Sequence, residues 1–171
     1  LTRNRSAEDV SQGSQNQQIL DNPLGSDNEG ERLPGLEVVR KHPRLLVLGK
    51  PGAGKTTFLK YLAMQCIAGK FQRNKVPFFV NLRDFAIDNK KRNFVQYLAG
   101  SLPSDRMQPS DGRNPVEIVE LLLQKGRCLI LLDGLDELVK ARDDHVINEI
   151  EPAALKYDLN QFVITCRIAA K

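Results

Sequence analysis

Residues 44–57 read RLLVLGKPGAGKTT. The apolar run from Arg44 to Leu48 has the length and composition of a buried strand, and it passes directly into a glycine-rich loop. Beyond the loop, Phe58, Leu59, Leu62, Ala63, Cys66 and Ile67 recur at helical spacing, and Gly69 is placed to close that helix. Gly49, Gly54, Lys55 and Thr56 fill the pattern G-x-x-x-x-G-K-[ST] between a predicted strand and a predicted helix, the context that gives the pattern its meaning. Without side chains at Gly49, Gly52 and Gly54, and with only Lys50, Pro51 and Ala53 between them, backbone N–H groups can turn inward around phosphate oxygens. The helix start adds its partial positive charge. Lys55 is then placed to bridge β- and γ-phosphates, and the Thr56 hydroxyl to serve as a ligand of Mg²⁺. Thr57 is directed at the α-phosphate or caps the helix locally.

Working outward, VPFFVNL (Val76–Leu82) reads as a second strand, with Pro77 near its start, where a missing N–H is best tolerated. Residues 83–113 are less regular, with a short helix expected over Asn93–Ala99. Asn114, Pro115 and Glu117 spell a capped helix start, and Gly126 ends that helix. Cys128–Leu132 is a third strand, apolar on both faces and hence central. A helix from about Asp143 is expected to bend at Pro152, and QFVIT (Gln161–Thr165) is a fourth strand leading into Cys166 and Arg167. Strands alternating with helices predict an α/β fold, a three-layer αβα sandwich around a mostly parallel sheet. It reads as cut after the fourth strand, and as part of a longer protein.

The third strand runs into CLILLDGLDE. Asp133, at the strand's C-terminal end, is placed to hold Mg²⁺ opposite Thr56. One turn further, Glu137 is the first choice for orienting or deprotonating an attacking water, with Asp136 as the alternative. The plainer reading of both acids is a helix N-terminus, where the dipole favours negative charge.

The chain has 171 residues and a net charge of +4. Residues 1–34 hold three Arg against six Asp and Glu, net −3, which leaves +7 for residues 35–171. With its Ser, Gln, Asn and Gly, the 1–34 segment reads as a disordered polar leader, and 35–171 as the folded domain. No apolar run approaches the roughly 20 residues that cross a bilayer. With no Trp and no interleaving of Arg with aromatic residues, nothing marks a nucleic-acid surface. Cys66, Cys128 and Cys166 are odd in number and far apart, which suits small apolar fillers in a reducing cytoplasm.

The motifs GKPGAGKTT, VPFFVNLRDF, LILLDGLDEL and VITCR, in that order, resemble a NACHT domain, a branch of the STAND class of P-loop NTPases. The resemblance covers residues 36–171, and its phrasing is similar to bacterial, cyanobacteria-like members. It implies a P-loop NTPase that binds ATP (or GTP) with Mg²⁺ and hydrolyses it slowly. It also implies an ADP/ATP switch that controls homo-oligomerisation of the full-length protein, in concert with effector and sensor domains outside this chain. By the same resemblance Arg167 is the sensor that contacts the γ-phosphate, and part of the adenine contact comes from residues 36–43. The main alternative is a P-loop small-molecule kinase. Against it, paired Asp136 and Glu137 suit water activation, and Arg83 and Arg92 are too few and scattered for an arginine-rich lid. Arg83 and Asp84 are expected to form a structural ion pair. A GTPase is disfavoured because Asn74-Lys75-Val76-Pro77 has Pro where a guanine-reading motif needs Asp.

Overall fold

The computed structural model describes residues 33–88, 92–103, 112–141 and 144–168, so the expected polar leader lies, apart from Leu33 and Pro34, outside the described residues. In chain order the elements are α1 (Gly35–Lys41), β1 (Arg44–Gly49), α2 (Lys55–Ile67), β2 (Val76–Asn81), α3 (Leu82–Asp88), α4 (Phe94–Gly100), α5 (Pro115–Gln124), β3 (Cys128–Asp133), α6 (Leu135–Ala141), α7 (Asp144–Lys156) and β4 (Gln161–Arg167). The four strands form one parallel sheet in the order β1-β4-β3-β2. The last strand in sequence therefore separates the phosphate-loop strand from the acidic strand. Pro77 sits in β2, an edge of the sheet among the described residues, where its missing N–H costs least.

β3 is apolar on both faces because it is covered on both. Leu129 and Leu131 join Val163 against α1 and α2, through Val39, Leu59, Leu62 and Cys66. Cys128, Ile130 and Leu132 meet the opposite layer, built from α3 to α7 with Phe85, Phe94, Leu98, Val119, Leu123 and Val146. This is the expected αβα sandwich of a P-loop NTPase. Burial pushes the Cys128 thiol up to about 12. Cys66 is also buried, Cys166 is half-buried, and all three are free.

Several boundaries differ from the sequence expectation, each for a local reason. β2 stops at Asn81 because the Asn81 side chain accepts hydrogen bonds from the Arg83 and Asp84 N–H groups (3.0 and 3.3 Å), which starts α3 at Leu82. Arg83 and Asp84 form no ion pair with each other among the described contacts; Asp88 and Arg92 do, at 2.8 Å. α6 corresponds to the plainer reading of Asp136 and Glu137 as a helix start, whereas no helix was expected at α1. Ile67 is 69% exposed rather than part of the core, since five positions from Leu62 carries it to the far side of the helix. α5 forms as read, with the reciprocal Asn114–Glu117 cap in place. α7 continues through Pro152.

Two polar residues tie the layers at the edge remote from the phosphate loop. Asn160, 1% exposed, donates to the Leu123 and Tyr157 carbonyls and accepts from the Cys128 N–H, joining α5, α7 and β3. Lys75 Nζ donates to the carbonyls of Gly126 (2.8 Å) and Leu159 (3.3 Å), and its burial holds the ammonium pKa below the usual lysine range. Gly126 itself has φ +63°, and a Cβ there would lie 2.7 Å from Leu159 Cβ and 2.8 Å from the Leu159 carbonyl oxygen. Gly126→Ala combines a left-handed backbone with a clash against main chain. It is expected to destabilise the domain by about 2–4 kcal/mol, read as a lower urea midpoint. A change under about 0.5 kcal/mol would show that the α5–β3 turn yields freely.

Candidate functional site

The C-terminal ends of β1, β3 and β4 open onto a cleft of about 360 Å³ that runs from Pro51 to Thr57 on one side and from Asp133 to Glu137 on the other. Cleft formation follows from the topology, because loops leaving parallel strands diverge at their carboxyl ends. On the first side, Gly54 takes φ +79° immediately before α2, a turn that a side chain would strain, and within the loop the Ala53 N–H donates to the Lys50 carbonyl at 3.1 Å. α2 is a 13-residue helix with no acidic residue in its own first turn, so the negative charge that meets its positive end comes from Asp133 across the cleft. Lys55 Nζ is folded back onto the loop, donating to the Gly49 carbonyl at 2.7 Å and the Lys50 carbonyl at 3.0 Å. Gly49 and Lys50 thus brace the loop through their carbonyls, while Pro51, Gly52, Ala53, Gly54, Lys55, Thr56 and Thr57 line the cleft.

Across the cleft, Asp133 ends β3 and accepts at both oxygens. Thr56 Oγ1 donates to Oδ2 at 2.7 Å, and Thr165 Oγ1 donates to Oδ1 at 2.6 Å. Residues 77 positions apart are therefore in direct contact, although β4 separates β3 from β1, the strand that leads to Thr56. Asp136 and Glu137 occupy the first turn of α6, as the plainer reading of both acids held, but they also face the cleft. The two differ sharply in surroundings. Asp136 is 7% exposed; its Oδ1 accepts the Arg167 N–H at 2.9 Å, and its Oδ2 lies 3.5 Å from Arg167 Nε. Glu137 is more open, and its Oε1 lies 3.3 Å from Arg167 Nη2. Arg167, at the end of β4, thus faces both acids at the mouth of the cleft.

The model of the NACHT domain matches residues 43–166, most of the chain. The chain belongs to the NACHT family. Among curated proteins, mouse NACHT, LRR and PYD domains-containing protein 10 is 31% identical over 112 residues. That alignment covers 63% of this chain and 15% of the mouse protein, so this chain spans only a small part of that relative's length. The relative gives no support to the bacterial phrasing read from the sequence. Among solved structures, AMPPCP-bound DnaA from Aquifex aeolicus is 16% identical, covering 77% of this chain and 36% of that one, at a TM-score of 0.46. PCH-2 of C. elegans is 15% identical, covering 80% and 34%, at a TM-score of 0.42.

For this NACHT domain the structure gathers at the cleft the nominated Lys55, Thr56, Thr57, Asp133, Asp136, Glu137 and Arg167, whereas Gly49 and Lys50, nominated with them, are not among its lining residues. Three further lining residues were not nominated, Asn81 at the end of β2, Gly134 after β3 and Thr165 on β4. Asn81 carried a faint signal as a polar residue closing an apolar strand. Thr165 carried none, since a β-branched residue inside a strand is ordinary.

The donor set fits a small hard cation. Thr56 and Asp133 offer one hydroxyl and one carboxylate, and among the described residues no three or more His, Cys, Asp or Glu side chains converge as a self-sufficient metal cage would require. Such a site suits an ion that takes its remaining ligands from water and phosphate, as Mg²⁺ does. When bound, the ion would neutralise phosphate charge. The membership of the family and this geometry establish the chain as a nucleotide-binding module with a P-loop NTPase fold. No helix among the described residues is long and apolar enough to cross a membrane.

Proposed function

We propose that this NACHT domain is the ATP-binding, slowly hydrolysing core of a cytoplasmic signal-transduction switch, with Mg²⁺ as its metal. In the full-length protein, its ADP and ATP forms differ in their capacity to self-assemble. The observation that carries this reading is the convergence of Lys55, Thr56, Asp133, Glu137 and Arg167 on one cleft at the start of α2. Lys55 leaves its loop carbonyls to bind the β- and γ-phosphates, and Thr56 and Asp133 hold the metal. Glu137 is the better candidate for activating water because it is the more open acid. Asp136, buried and bonded to the Arg167 main chain, holds β4 in place instead. Arg167 reads the γ-phosphate, which would compete with Asp136 and Glu137 for its guanidinium.

Only the γ-phosphate distinguishes the two nucleotides, so the charged groups that touch it must supply the conformational bias. Moving a population from 1:99 to 99:1 takes about 5.5 kcal/mol, several charge-assisted hydrogen bonds' worth. The full-length protein is therefore expected to self-associate with a non-hydrolysable ATP analogue and to stay small with ADP, measured by light scattering. Equal sizes in both nucleotides would remove the switch and leave a plain ATPase or kinase.

A further inference from the structure

Thr165 lies on β4 two residues before Arg167, is 1% exposed, and has no place in the phosphate-loop or acidic motifs. Its hydroxyl makes two contacts whose directions are dictated by their partners. The Gly134 N–H can only donate, and it does so to Thr165 Oγ1 at 3.0 Å. The single hydroxyl proton is therefore left for Asp133 Oδ1, at 2.6 Å. Asp133 is held from the other side by the Thr56 hydroxyl on Oδ2 at 2.7 Å. The carboxylate is thus pinned between two hydroxyls, one from the phosphate loop and one from β4.

We propose that Thr165 is a positioning residue for the metal site: its hydroxyl fixes the rotation of the Asp133 carboxylate, so that Oδ2 is presented to Thr56 and to the metal that the two would share. This rests on the reading of the cleft as a Mg²⁺–nucleotide site and adds to it a residue outside both motifs. The polarity of the contact matters as much as its presence. A residue that could only accept would leave Asp133 Oδ1 facing a lone pair, and an apolar residue would take their hydrogen-bond partner from both Oδ1 and the Gly134 N–H at these half-buried positions. Gly134 follows Asp133 directly, so Thr165 holds the main chain after the carboxylate as well as the carboxylate itself. The Arg167 N–H repeats the device two residues on by donating to Asp136 Oδ1 at 2.9 Å. The acidic loop is thereby fastened to β4 at two points, and the side chain at the first of them aims the metal ligand.

Partners behind a metal ligand commonly change metal affinity by 10–100-fold when removed. The test is titration of ADP into wild type, Thr165→Val, Thr165→Ala and Thr165→Ser, each in Mg²⁺ and in EDTA, with thermal melting of the nucleotide-free proteins. The expected result is that Thr165→Val and Thr165→Ala lose about 10-fold or more of the Mg²⁺-dependent gain in affinity, while their affinity in EDTA stays near that of wild type. Thr165→Ser keeps the gain, because it keeps the donor. Should the valine variant fail to fold, the alanine and serine pair decides the matter alone. An unchanged Mg²⁺ gain in the alanine variant would overturn the proposal. So would an equal fall in Mg²⁺ and EDTA, which would make Thr165 a packing residue. Failure of wild type to bind ADP in either condition would instead overturn the nucleotide reading on which the proposal stands.

Discussion

Lys55→Ala is expected to lower affinity for both ATP and ADP by at least about 100-fold, a loss of about 2.7 kcal/mol or more. The lysine is the one cation built into the phosphate loop's helix start, and its ammonium sits over the loop through the Gly49 and Lys50 carbonyls. Both nucleotides carry a β-phosphate, so both should suffer, ATP the more because it presents two phosphates to the same charge. The measurement is titration calorimetry in Mg²⁺, with thermal melting to confirm that the variant is folded. Lys55→Arg should rescue little, since a planar fork cannot replace a compact ammonium held by two loop carbonyls. Near-wild-type affinity in the alanine variant would sink the assignment of the loop.

Glu137→Gln is expected to retain nucleotide binding while turnover falls by roughly 10²–10⁴-fold, the usual contribution of a positioned base. The substitution keeps the shape of the side chain and an acceptor for Arg167 Nη2, now 3.3 Å from Glu137 Oε1, but removes the capacity to take a proton from water. Phosphate release under single-turnover conditions separates the chemical step from product release. Asp136→Asn provides the contrast. Its carboxylate is buried against the Arg167 main chain, so its loss should lower the melting temperature as well as the rate, whereas Glu137→Gln should leave melting nearly unchanged. Unaltered phosphate release in Glu137→Gln would pass the role to Asp136.

What could be read in advance was what is local. The phosphate loop announces itself through glycines and a lysine at fixed spacing, β3 through an unbroken apolar run, and α5 through its Asn114–Glu117 cap. Each is decided within a few residues by backbone sterics or helix-end hydrogen bonding. The α1 helix escaped notice because its seven residues give too few turns for a period to show and Pro34 before it makes no side-chain cap, whereas the equally short α4 is announced by its Asn93 cap. Strand order was out of reach, since parallel pairing joins residues such as Leu131 and Val163 whose proximity no local pattern encodes. Thr165 shows the same limit at the site. Its importance arises from a contact with Asp133, 32 positions away, and a threonine in a strand looks alike whether or not a carboxylate waits across the sheet. The division between Asp136 and Glu137 was likewise hidden until burial separated two adjacent acids.

The place of β4 in the sheet has a mechanical consequence. Neighbouring strands lie about 4.8 Å apart, so one intervening strand sets the roots of the phosphate loop and of Asp133 roughly 10 Å from each other. That strand acts as a gauge block between two jaws. A nucleotide meets an opening whose width is determined by backbone hydrogen bonding rather than by the reach of flexible side chains. Because the gauge also ends in Arg167, a push on that arginine bears on the spacer between the jaws, and through it on both walls together.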